Sequence, residues 1–218
     1  MSDEALTREA RRIQLRYQRE VVEAFGLCPF AAKARIDLVS REAIVLDPEP
    51  TLDRVLPEVR ELAYVDAIEV AFIVLPRWKI DRVGLSRFVE SLRSAHQAEP
   101  GGLVMTMEGF HPDAAADTSS PGALVPFLRR IADPTIQFMR LSVLDRVRAG
   151  VGGTTKYVDP TTIDVAALLA APPERSLHQR ISEANHQTVC SHGAAAIERV
   201  YDAIRTDRDE SYARAERE

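Results

Sequence analysis

Apolar residues at Ala10, Ile13, Tyr17, Val21, Val22 and Phe25 recur at helical spacing, with Arg and Glu on the intervening positions and Gly26 placed to stop the run. The pattern predicts an amphipathic helix over residues 7–25. Two apolar, β-branched runs follow, EAIVLD with its strand near residues 43–46 and IEVAFIVL over residues 68–75. The second is almost continuously apolar, as a strand buried on both faces should be. Between them TLDRVLPEVRELAYV reads as a helix that Pro57 breaks or kinks unless the helix starts there. GLSRFVESLRSAHQ gives another helix, Pro100-Gly101-Gly102 a turn, and LVMTMEGF a strand at residues 103–110. Strand, helix, strand, helix, strand is the rhythm of a parallel sheet built from right-handed crossovers.

Beyond His111 the chain turns polar and Pro-rich (HPDAAADTSSPG), then offers a helix near residues 123–132 and an apolar segment, TIQFMRLSVL, that suits a fourth strand. RAGVGGTTKYVDPTT reads as irregular, followed by a short apolar helix at residues 165–170 and a long one over residues 174–205. The charge-rich residues 206–218 read as a solvated tail. The expectation is one α/β or α+β domain over residues 1–205, three layers thick, with a central, mainly parallel sheet of about four strands flanked by helices.

Composition narrows the function by exclusion. With 218 residues and 45% hydrophobic content the chain can bury a sizeable core. Its 28 Lys and Arg against 33 Asp and Glu supply no general positive field for a nucleic-acid backbone. Two cysteines make no disulfide framework, and the charged start MSDEALTREARR lacks the apolar stretch of a signal peptide, so a cytoplasmic location is expected. The run IEVAFIVLP is far short of the roughly 20 residues of a membrane-spanning helix.

Four stretches offer chemistry. In GLCPFAAKAR, Gly26 ends one helix and Pro29 suits the first turn of the next, which puts Cys28 at the cap position. There a thiol would face unpaired N–H groups, with Lys33 and Arg35 nearby, and both effects favour a nucleophilic thiolate. The alternative is that Leu27, Cys28 and Phe30 plug the loop onto the core. EGFHPD brings Glu108 and His111 to the end of the third strand, and PRWK brings Arg77, Trp78 and Lys79 to the end of the second. Ligands of open parallel sheets collect at that rim, and a cationic, aromatic wall suits an anionic or planar ligand. HQTVCSHG sets His186 and Cys190 four apart on one helix face with His192 beyond, too few ligands for a closed zinc site, so Cys190 is expected in the core. GVGGTTK has the composition of an anion-binding nest but not the spacing of a nucleotide loop, and reads better as a loop.

GLCPFA together with FHPD resembles a bacterial and plant family known only as domain of unknown function 1415, over residues 21–185. Gly26 to Ala31, Pro76 and Phe110 to Pro112 match its pattern, as do Ser120, Pro121, Leu128, Arg129, Ile181, Glu183 and Asn185. Ser119 replaces an Arg of that pattern, Pro126 a His and Arg130 a Glu, as in a divergent member. The resemblance implies no activity; it converges on Cys28 and His111.

The leading expectation is a small-molecule enzyme with Cys28 as thiolate nucleophile or ligand, His111 as general acid/base beside Glu108, and Arg77, Lys79 or Arg129 holding an anionic metabolite. A variant has Cys28 and His111 binding a metal or haem iron. The competing class is a non-catalytic domain that binds a small anion or a protein, with Cys28 in the core. No nucleic acid or membrane partner is expected, and the residues specify neither a cofactor nor an oligomeric state.

Overall fold

The computed structural model of this chain describes residues 3–28, 30–102, 104–115, 117–145 and 177–217. Helix α1 (Asp3–Arg16) buries Ala5, Leu6, Ala10 and Ile13, and begins earlier than the apolar period alone suggests. At Tyr17 the winding loosens into a π-helical segment, Tyr17–Glu23, in which the Ala24 amide bonds the Arg19 carbonyl five residues back at 3.0 Å. Tyr17 and Val21 both remain buried through this change. Gly26 then takes φ +61°, a left-handed conformation that suits glycine, and turns the chain into the short helix α2 (Ala31–Ile36).

The sheet comprises β1 (Ser40–Ile44), β2 (Val70–Val74), β3 (Met105–Phe110) and β4 (Thr135–Arg140), in the order β1-β2-β4-β3. Helix α3 (Leu52–Ala63) connects β1 to β2, which pair in parallel, and helix α4 (Arg82–Gln97) leads from β2 to β3. Three strands therefore point one way. The fourth, β4, inserts between β2 and β3 and runs antiparallel to both, which makes the sheet mixed. The reason lies in the register: Phe110, the last residue of β3, pairs with Thr135, the first of β4, so their connection stays at one end of the sheet. A parallel return would need a crossover the length of the strands, and helix α5 (Leu124–Leu128) is too short to provide it.

Strand β2 is buried on both faces, as its continuous apolar run predicts. Ala71, Ile73 and Leu75 pack with Val55, Val59 and Leu62 of α3, Leu85, Val89 and Leu92 of α4, and Met107, Ile136 and Phe138 of the neighbouring strands. Fully burying each large side chain is worth about 1.5–3 kcal/mol. A second core lies among α1, the π-helical segment, α5 and the two long helices α6 (Leu177–His192) and α7 (Ala194–Ala215), with Leu6, Ile13, Tyr17, Phe127, Tyr201 and Ile204 at its centre. Pro57 lies inside α3 rather than at its start; it is exposed, so the backbone bond it cannot make is lost on the solvent side.

The C-terminal region differs most from the expectation. Gly193, with φ +81°, divides the single long helix into α6 and α7. Residues 206–215 are no solvated tail: α7 continues to Ala215 and buries Ser211, Tyr212 and Ala215. Tyr212 donates to Asp133 Oδ2 at 2.6 Å, while Arg208 donates to Asp133 Oδ1 at 2.9 Å and to the Pro76 carbonyl at 3.1 Å. Asp207 accepts from Arg12 and Arg16, tying α7 to α1. The boundary at residue 205 thus falls inside one packed helix. GVGGTTK and the helix expected at residues 165–170 lie outside the described residues. Among those described, no helix is long and apolar enough to cross a membrane.

Candidate functional site at the carboxyl rim of the sheet

Because β1 and β2 are parallel and in register, they end at the same rim, and the segments that leave them face one another. Between residues 47–50 after β1 and residues 77–80 after β2 lies an open groove of about 510 Å³. Asp47, Glu49, Pro48 and Pro50 form one wall; Arg77, Trp78, Lys79 and Ile80 form the other. Arg77 bonds Asp3 at 2.9 Å and the Leu46 carbonyl at 3.4 Å. Lys79 is exposed and has no ion pair among the described residues. Among the described residues Asp47 has one ion pair, with Arg54 at 3.8 Å. Trp78 is braced edge-on against Phe88, with ring centroids 4.8 Å apart.

The Arg77–Ile80 wall is pinned from both sides. Asp81, the next residue, caps α4 by accepting from the Gly84 amide at 2.6 Å. A Cβ at position 84 would lie 2.9 Å from Ile80 Cγ1, so any larger residue would force the Ile80 side chain to shift. From the other side comes His111, which is 5% exposed. Its Nδ1 accepts from the Asp113 amide at 3.0 Å, which leaves the proton on Nε2, and Nε2 donates to the Ile80 carbonyl at 2.9 Å. Both ring nitrogens are thus committed, one to the His-Pro-Asp turn and one to the groove wall.

The structure gathers the sequence-predicted residues differently from the expectation. Arg77 and Lys79 share the groove. Glu108 and Arg129, expected as a catalytic group and a substrate ligand, pair with each other at 2.8 Å, and the Arg129 guanidinium lies 5.9 Å over the Phe110 ring. The Arg129 carbonyl accepts from the His111 amide at 3.1 Å, so this corner supports His111.

Cys28 stands apart from that corner in its bonding. The cap of α2 is Phe30, not Cys28, and α2 has only six residues. The thiol does lie within reach of the Phe30 and Ala31 amides, which favour the thiolate. Burial is the larger influence, and it pushes the thiol above its ordinary range. The two cations expected to oppose this are spent elsewhere, Lys33 on Asp37 and Arg35 on Glu23. Cys190 is the exposed cysteine instead of the core one, with Sγ 3.9 Å from both ring nitrogens of His186. The helical i, i+4 reading of that pair holds; its assignment to the core does not. His192 packs edge-on against Phe25. Among the described residues no group of three or more His, Cys, Asp or Glu is arranged to hold a metal ion.

Sequence reasoning missed the acidic wall at residues 47–50. The available signal was that DPEP directly follows β1, since parallel neighbours end at a shared rim. The Asp133–Arg208–Tyr212 cluster was also missed, and nothing in local sequence marks it.

No family model, curated protein or solved structure matches the chain. The motif residues therefore take their meaning from their places here: Gly26 turns the chain, the Pro76 carbonyl receives Arg208, His111 clamps the groove wall, and Ser120 Oγ accepts from the Ala123 amide.

Proposed function

We propose that this chain is a small-molecule-binding domain whose site is the rim groove, and that its ligand is a small anionic metabolite that also carries an amine or other donor. The reading rests on one observation: a groove of about 510 Å³ sets Lys79, Arg77 and Trp78 on one wall against Asp47, Glu49 and two prolines on the other. Lys79 meets the anionic end. Asp47 and Glu49 meet the donor end, and the ring of Trp78 covers the apolar middle. An enzyme built on Cys28 and His111 has less support, because His111 spends both nitrogens on backbone groups and partial burial pushes the Cys28 thiol above its ordinary range.

Calorimetric titration with 4-aminobutyrate, butyrate and butylamine tests the reading. The zwitterion binds more tightly than either half, and Lys79→Ala weakens butyrate but not butylamine. Equal and negligible heats for all three, in wild type and variant, would remove the proposal.

A further inference from the structure

A second groove, of about 320 Å³, lies between α1 and β1 and shares no residue with the rim groove. Arg8, Arg11, Gln14 and Leu15 line it from α1, Gln18 from the π-helical segment and Glu42 from β1. Its charge is not self-cancelling. Arg12, also in the wall, is committed to Glu9 and Asp207, and Arg8 approaches Glu9 only at 3.9 Å. Arg11 is exposed and forms no ion pair among the described residues.

The second observation is Gln14. This side chain is 3% exposed, yet its amide nitrogen Nε2 has no hydrogen-bond partner among the described residues. A buried, unpaired N–H is costly, and most such groups in folded proteins are satisfied. An amide on the wall of a groove can turn about its last bond to present N–H to an acceptor there.

We propose that this groove is an oxyanion site, in which a phosphate or carboxylate oxygen accepts from Gln14 Nε2–H while Arg8 and Arg11 neutralise its charge. Guanidinium pairs bind such groups through paired N–H bonds, and an oxyanion supplies the acceptor that Gln14 lacks. Glu42 on the facing wall admits one small anion and disfavours an extended acidic chain. The site is independent of the rim groove.

Nitrogen-15 NMR at fixed ionic strength reads it directly, through the side-chain NH2 signals of Gln14, assigned by their loss in Gln14→Leu. Titration with inorganic phosphate or with acetate moves these signals to saturation, and the tighter of the two identifies the oxyanion. Arg11→Gln, an exposed change that leaves the core untouched, weakens binding about tenfold, as expected for one charged hydrogen-bonding partner. Arg19→Gln, further along the same helical stretch, changes it less than twofold. Unmoved Gln14 signals with both anions, or equal weakening by Arg11→Gln and Arg19→Gln, would overturn the proposal.

Discussion

The imidazole Nε2 of His111 lies 2.9 Å from the carbonyl oxygen of Ile80, 31 residues away in sequence, and joins the end of β3 to the loop that leaves β2. Since Nδ1 accepts from the Asp113 amide, the ring is a fixed donor, and the wall carrying Arg77, Trp78 and Lys79 inherits its position. His111→Phe leaves the Ile80 carbonyl and the Asp113 amide without their partners. A loss of about 2–3 kcal/mol in urea unfolding is expected, with a red shift of Trp78 emission in the folded state. Unchanged stability and emission would mean that the clamp is not real.

The two cysteines should react in an order opposite to the one their local sequences suggest. At pH 7 to 8, iodoacetamide should modify Cys190, exposed beside His186, well before Cys28. Burial raises the Cys28 thiol, so its thiolate appears only above the ordinary cysteine range of about 8.5. Mass spectrometry of Cys28→Ser and Cys190→Ser across pH 7 to 10 checks this; faster modification of Cys28 would restore the nucleophile reading.

Asp133, 2% exposed, anchors α7 through Arg208 and Tyr212. Tyr212→Phe should cost about 1–2 kcal/mol, as one charge-assisted hydrogen bond is lost. Asp133→Ala removes the acceptor of both groups and leaves Arg208 only Asp209 and the Pro76 carbonyl, so it should cost more than Tyr212→Phe, about 2–4 kcal/mol. Truncation after residue 205 should destabilise the whole domain, as seen by thermal melting, whereas a solvated tail could be removed without effect.

Asp207 sits between Arg12 and Arg16, whose hydrogen bonds hold its carboxyl down at about 2. A carboxylate depressed in the folded state stabilises the protein at pH above its unfolded value of about 3.9. That contribution is lost as the pH falls through about 2. After allowance for solvent screening it amounts to about 1 kcal/mol, and Asp207→Asn should flatten the stability curve between pH 4 and 2 without changing its shape above pH 5.

Much of the fold is legible in the chain, for identifiable reasons. The run from Ile68 to Leu75 is apolar apart from Glu69 because β2 lies between two helical layers, and Met105 and Met107, two residues apart, mark one face of β3 by alternation. The direction of β4 is not legible, because TIQFMR has the same side-chain pattern read either way; only its register with β3 decides. The π-helical turn is hidden for a similar reason, since Tyr17 and Val21 satisfy an ordinary helical period.

The candidate site was half legible. Arg77, Trp78 and Lys79 announce themselves after a buried strand, and they do line a groove. The roles of Cys28, Glu108, His111 and Arg129 were not legible, because each depends on a partner that local sequence does not reveal. Glu108 and Arg129 neutralise one another, His111 finds a carbonyl on another loop, and the helix beyond Cys28 is too short and its cations too occupied to offset burial.

Trp78 is the chain's one tryptophan and lies in the wall of the rim groove, so its fluorescence reports on the central claim without a label. The decisive measurement is the emission of Trp78 during titration with 4-aminobutyrate, in the wild type and in Lys79→Ala and Glu49→Gln. The account predicts a saturable change in emission, with affinity reduced about tenfold by either substitution. A linear, unsaturable response, or a saturable one that neither substitution alters, would contradict it.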